Sequence, residues 1–200
     1  MPSDLAPPSI PSDSLEEGGW MQADESVETL FQLATMRVRG ATVQYEDERT
    51  RRALSDATEG AFEQSVRFFA GTRLTFEPSL PPNAFLVIAP MVKREARRTF
   101  TDRLRERGLT GVERDGSQPV RVGNRRASAT KFVATNLELD LPLACWVAVW
   151  TDGTGGTVVT GGHPSVALAP HLGLETTDET LHRSGESYRE EFFSLLRSVV

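Results

Sequence analysis

Two apolar runs, residues 143–150 and 157–163, constrain this chain more than any other stretch. The first reads Leu-Ala-Cys-Trp-Val-Ala-Val-Trp and the second Thr-Val-Val-Thr-Gly-Gly-His, with Thr-Asp-Gly-Thr-Gly-Gly between them. β-Branched and aromatic residues on both sides of a Gly/Asp/Thr turn are the composition of a β-hairpin. In the first run Leu143, Cys145, Val147 and Val149 point one way, and Ala144, Trp146, Ala148 and Trp150 the other. Both faces are largely apolar, which predicts a central strand covered on both sides rather than one with a wet face.

A helix able to cover such a sheet closes the sequence. Tyr188, Phe192, Leu195, Leu196 and Val199 recur at i, i+4, i+7, i+8 and i+11, one apolar stripe. The helix signals run from Ser184 to Val200, and Ser187-Tyr188-Arg189-Glu190 has the spacing of a capping box. Upstream, alternation predicts strands over 27–34, around Thr42–Val43–Tyr45, and over 66–76, where Val66, Phe68, Ala70, Thr72, Leu74 and Phe76 take every second position. The acid-then-base order of 46–54 suits a short helix. A short apolar run, 85–88, stops at Pro90, which fits the first position of a second helix. On that helix Val92, Ala96, Phe100 and Leu104 form the buried stripe, and Gly108 ends it. Weaker strands follow at 110–114 and 120–122, then a Gly123-Asn124 turn and a strand over 127–135.

Strands, short helix, strands, basic helix, antiparallel strands and closing helix predict an α+β domain with a mainly antiparallel sheet packed by two or three helices. At 200 residues the chain suits one domain, expected over 19–200. Pro2, Pro7, Pro8 and Pro11 among Ser, Asp and Glu predict a flexible acidic tail over 1–18, with Trp20 the first core residue. No apolar run is long enough to span a membrane and the start lacks a signal-peptide pattern, so a cytoplasmic protein with no membrane partner is expected.

From residue 90 to 200 a pattern of elements accumulates. It comprises the basic helix ending in Gly, a short strand, a strand after Val120-Arg-Val-Gly-Asn, the Trp-rich hairpin, and the final Tyr-x-x-x-Phe-x-x-Leu-Leu-x-Ser-Val helix. This order resembles the second half of PsbP/Mog-type domains, and the whole chain resembles small uncharacterised proteins of halophilic archaea. The resemblance implies a scaffold used for binding or assembly and carries over no catalytic residue. Independently, 20 of the 22 bases are Arg, only Lys93 and Lys131 being Lys, which suits a GC-rich or salt-adapted source.

The chemistry-bearing residues offer few local motifs. Cys145 lies mid-strand between Ala144 and Trp146, the setting of a structural thiol. His163, His171 and His182, with Asp152 or Asp178, have the donor types for a metal, but their spacings match no helix face, so loop histidines and no metal or other cofactor are expected. The Gly-rich segment 153–156 lacks Gly-Lys-Ser/Thr and has Val at 158, so neither a phosphate loop nor a dinucleotide fingerprint is present.

Charge is the feature that stands out. The chain has a net charge of −6, yet residues 91–131 hold 12 bases against five acids. Arg94, Arg98 and Arg105 share a helix face with Arg97 beside it, and Arg125-Arg126 sit at a turn. Arginine forks suit phosphates and carboxylates. The competing expectation is a solvated face, with Arg98 paired to Glu95 and Asp102 and Arg105 to Asp102. The favoured function is a non-catalytic binding or assembly module, with an unknown protein partner or self-association through a sheet edge. Nucleic-acid binding through the Arg-rich helix 91–107 is the alternative, and an enzyme with a site assembled from distant residues the second alternative.

Overall fold

The computed structural model describes residues 5–33, 35–81, 84–151 and 155–200. Seven strands form one sheet: β1 (Trp20–Leu33), β2 (Met36–Asp47), β3 (Phe68–Glu77), β4 (Leu109–Val122), β5 (Arg125–Asn136), β6 (Leu141–Thr151) and β7 (Gly156–Pro164). Their spatial order is β1-β2-β3-β7-β6-β5-β4, and every neighbouring pair is antiparallel. The expected α+β class is therefore present. Among the described residues five α-helices, rather than two or three, accompany the sheet: α1 (Ser12–Gly18), α2 (Glu48–Ala57), α3 (Ala84–Glu106), α4 (Leu168–Leu172) and α5 (Gly185–Ser198), with a 3-10 turn at Glu179–His182.

The two-sided β6 organises this arrangement. Leu143, Cys145, Val147 and Val149 pack in one core with Val92, Ala96, Phe100 and Leu104 of α3 and Leu54 of α2. Trp146, Ala148 and Trp150 enter a second core with Phe192, Phe193, Leu195 and Leu196 of α5. The two runs around the Gly-rich turn pair from Leu143↔Pro164 to Thr151↔Gly156; Asp152, Gly153 and Thr154 lie outside the described residues. In β7 glycine is needed for close approach. A Cβ on Gly161 would sit 2.5 Å from the Phe192 ring, so the bare backbone lets α5 settle onto the strand.

Several expectations shift. Helix α5 starts from Ser184 as expected, but the cap is Ser184 rather than a box at Ser187: its hydroxyl accepts from the Ser187 N–H at 3.1 Å. Helix α3 begins at Ala84, so 85–88 forms its first turns and Pro90 lies inside it. An exposed helix can carry an interior Pro at the cost of one hydrogen bond and a bend. The weak strands 110–114 and 120–122 are one strand, β4, whose pairing with β5 shifts register between Thr110/Glu113 and Arg114/Ser117. These bulges break the period of two, so the alternation fades although the strand continues.

Residues 8–18 pack onto the sheet instead of lying outside it as a tail. Ile10 is buried in the α5-side core, Pro8 covers Gly71, and Ser9 and Val200 exchange two backbone hydrogen bonds of 3.0 Å. Burial of Ile10 and the Val200 pairing supply what composition alone does not forecast. No helix among the described residues is long and apolar enough to cross a membrane.

Candidate anion-binding site

Two polar clusters compete for attention, and their hydrogen bonding separates them. The first lies inside the protein. Arg67, in the connection before β3, is only 1% exposed, and its guanidinium is sandwiched 4.7 Å from the Trp20 ring and 4.6 Å from the Tyr188 ring. It pairs with the buried Asp47 and, at 3.1 Å, with Glu191. Asp47 also caps α2, accepting from the Thr50 N–H at 2.9 Å and its hydroxyl at 2.6 Å. Glu191 additionally accepts from Trp20 Nε1 at 2.9 Å and from Arg183. Burial pushes the Glu191 carboxyl up, but Arg67 and Arg183 outweigh it and hold it below the ordinary carboxylate value. Donors and acceptors here are spent on one another, and among the described residues of this cluster only Arg67 Nε is without a partner. This is a clamp between α2, β1 and α5.

His163 belongs to the same interior. It stands on β7, 3% exposed, rather than in a loop. Nε2 accepts from Trp146 Nε1 at 3.2 Å, so Nδ1 carries the proton and donates to the Pro164 carbonyl at 2.8 Å. Burial pushes its pKa down to about 4. His171 and His182 meet the backbone carbonyls of Asp140 and Thr176, and Asp178 caps the 3-10 turn. Among the described residues no three His, Cys, Asp or Glu side chains converge, and Asp152 lies outside them. Burial likewise pushes the Cys145 thiol up to about 12, which leaves it protonated and inert.

The second cluster opens to solvent. A cleft of about 70 Å³ between α3 and the β4–β5–β6 side of the sheet is lined by Lys93, Arg97, Arg114, Ser117, Ser128 and Thr130 over a floor of Val147 and Val149. Local structure sets each position. Lys93 and Arg97 are four apart on α3, beside the buried Val92–Ala96–Phe100 stripe, so they overhang one flank of the helix. The β4–β5 ladder sets Ser117 opposite Thr130, and the second bulge brings Arg114 onto the same side. Thr130 is only 5% exposed and Val147 only 2%, so the floor is dry while the rim is wet. None of the three cations has an ion-pair or hydrogen-bond partner among the described residues. Three cations and three hydroxyls thus surround one small concavity, groups whose chemistry suits a compact anion.

Of the expected anion-binding residues, Arg97 alone enters this cleft. Arg94, Arg98 and Arg105 lie on the outer face of α3, 68%, 73% and 56% exposed. Glu95 stands 3.7 Å from Arg94 and 3.8 Å from Arg98, and Asp102 3.1 Å from Arg105. These three thus form the ion-paired, solvated face weighed against them. Arg125 and Arg126 begin β5 beyond a tight turn in which Gly123 has φ 56, and as successive strand residues they point to opposite faces. Arg126 shares the cleft's face with Arg121, its partner in the ladder. Lys93, Arg114 and the three hydroxyls escaped the sequence reading. A hairpin register counted back from Gly123-Asn124 places Ser128 and Thr130 on one face, but nothing local announces the bulge that aims Arg114.

The architecture defines an α+β protein with one antiparallel sheet clad on both faces and its free cations gathered near one edge. The chain belongs to the family described as Domain of unknown function (DUF6517), whose profile matches residues 7–200. No curated protein and no solved structure matches it.

Proposed function

We propose that this protein is a non-catalytic binding module whose ligand presents a compact, multiply charged anionic group, phosphoryl above all, to the cleft of Lys93, Arg97 and Arg114. The carrying observation is that these cations converge on one concavity while most of their neighbours on α3 are engaged by Glu95 and Asp102. Ligand pockets that enclose a whole small molecule run to roughly 300–1,000 Å³. At about 70 Å³ this cleft takes only the charged end, and the rest of the ligand stays outside. No aromatic residue lines it, so the base stacking that single-strand binders use is not supplied. A duplex would meet the outer face of α3, where arginines are already paired. That weighs for an anionic terminus over a nucleic-acid backbone.

A salt-adapted, archaeal and cytoplasmic setting fits the arginine bias and the resemblance. It favours the cleft further, because partly buried charges are screened less than exposed ones. The test is a calorimetric or NMR titration of the full chain with pyrophosphate and inorganic phosphate. Saturable binding is expected, weakened about tenfold or more by Arg97→Gln or Arg114→Gln, since each removes a charge-assisted contact. Arg98→Gln should leave it unchanged. Absence of saturable binding, or equal losses in all three variants, would overturn the reading.

A further inference from the structure

The first two turns of α3 expose three large apolar side chains: Leu86 at 69%, Val87 at 79% and Met91 at 40%. Two rows run along the helix from this patch. Leu86, Pro90, Lys93 and Arg97 fall at i, i+4, i+7 and i+11, and Val87, Met91, Arg94 and Arg98 repeat the spacing one position on. Both rows change from apolar to cationic at the same level. The apolar tip and the anion cleft are therefore contiguous, Lys93 and Arg97 belonging to both.

The axial distance gives this pattern meaning. Seven residues of helix separate Leu86 from Lys93, a rise of about 10 Å. Apolar faces of interfacial helices enter the headgroup and acyl boundary by about 5–10 Å. With the tip inserted to that depth, Lys93 stands at the level of the lipid phosphates and Arg97, one turn further along, about 6 Å beyond it. The chain's net negative charge is unevenly placed. Asp24, Glu25 and Glu28 lie on β1, at the other end of the strand order from β4, and Glu28 is engaged by Arg103 of α3 at 2.8 Å. β4 and β5 together carry five bases against two acids.

We propose that Leu86, Val87 and Met91 enter the headgroup layer of an anionic membrane while the Lys93/Arg97/Arg114 cleft takes a lipid phosphate. This rests on the anion-cleft reading and names the source of the anion. It makes the protein one that lies on a bilayer without crossing it.

Flotation of the full chain with vesicles of phosphatidylglycerol and phosphatidylcholine, against phosphatidylcholine alone, tests it. Binding to the anionic vesicles is expected, and about tenfold or more weaker binding to the neutral ones. Leu86→Glu/Val87→Glu, at exposed positions where the fold is spared, should lose vesicle binding yet keep the phosphate titration unchanged. Arg97→Gln/Arg114→Gln should lose both. If the protein titrates with phosphate but ignores anionic vesicles, or if the Glu variant still floats, the membrane inference is overturned and the cleft reading stands. If phosphate does not bind and Arg97→Gln/Arg114→Gln floats like the unmodified chain, the cleft reading falls and the inference with it.

Discussion

Replacing Arg67 by Met tests whether the interior clamp holds this protein together. The substitution keeps the length of the side chain and removes the cation from between Trp20 and Tyr188. Asp47, 1% exposed, then keeps only Thr50 as a partner, and Glu191 keeps Trp20 and Arg183. Removing one member of a buried ion pair costs about 3–5 kcal/mol, because the other charge is left in a dry site. For a chain of this size each kcal/mol moves Tm by about 2–4 °C, so a fall of roughly 6–20 °C is expected by calorimetry. Asp47→Asn in the same background removes the stranded charge and preserves a side chain able to cap α2. The double variant should therefore lose less than the two single changes added together, by about 0.5–3 kcal/mol of coupling. A loss below about 1 kcal/mol in Arg67→Met, or strict additivity in the double variant, would refute the clamp.

Phe192 is 3% exposed and packs against Phe69, Trp146 and Phe193, so Phe192→Ala should cost about 3–5 kcal/mol in urea denaturation. Gly161→Ala places a methyl 2.5 Å from that ring and 2.9 Å from the Phe68 carbonyl; a loss of about 1–3 kcal/mol is expected, and Gly60→Ala, with nothing near its Cβ but φ +79, serves as the backbone-strain control. His163 is held neutral when folded, its pKa pushed down to about 4 from the ordinary 6.5. Below pH 6.5 the unfolded chain takes up a proton that the folded one refuses, so its stabilisation is complete above pH 6.5 and is lost as pH falls toward 4. At 1.36 kcal/mol per unit this loss is about 3 kcal/mol, and His163→Gln should flatten that part of the stability–pH curve.

The parts of the molecule that repeat a short period were readable from residues alone. The alternation of 143–150 located the central strand and both cores, and the Tyr188–Phe192–Leu196 stripe located the closing helix. Where two local signals conflict, the reading slipped. Pro90 after a four-residue apolar run looks like a helix start, yet α3 absorbs it on an exposed face, where the lost hydrogen bond can be made to water. Bulges hid the length of β4. The interior clamp had no local signature at all. Arg67 stands between Val66 and Phe68 as one more arginine, and its acids lie 20 positions before it, at Asp47, and 124 after it, at Glu191. The cleft was half legible for the same reason: helix spacing gives Lys93 with Arg97, while Arg114 and Thr130 arrive only when distant strands pair.

The strand order carries a consequence for how the molecule is assembled. Five of the six ladders join strands that follow one another in the chain, making one meander of β1, β2 and β3 and another of β4, β5, β6 and β7. The sixth, β3 with β7, pairs Thr72 with Val158, 86 positions further on. The longest loop closure of the sheet falls at that single junction. The two meanders can form early and locally, but neither core is complete until they meet, since β3 and β7 each contribute to both. The sheet is thus two halves joined along one zipper, and a chain nicked in the segment after Glu77 would still be held together by it.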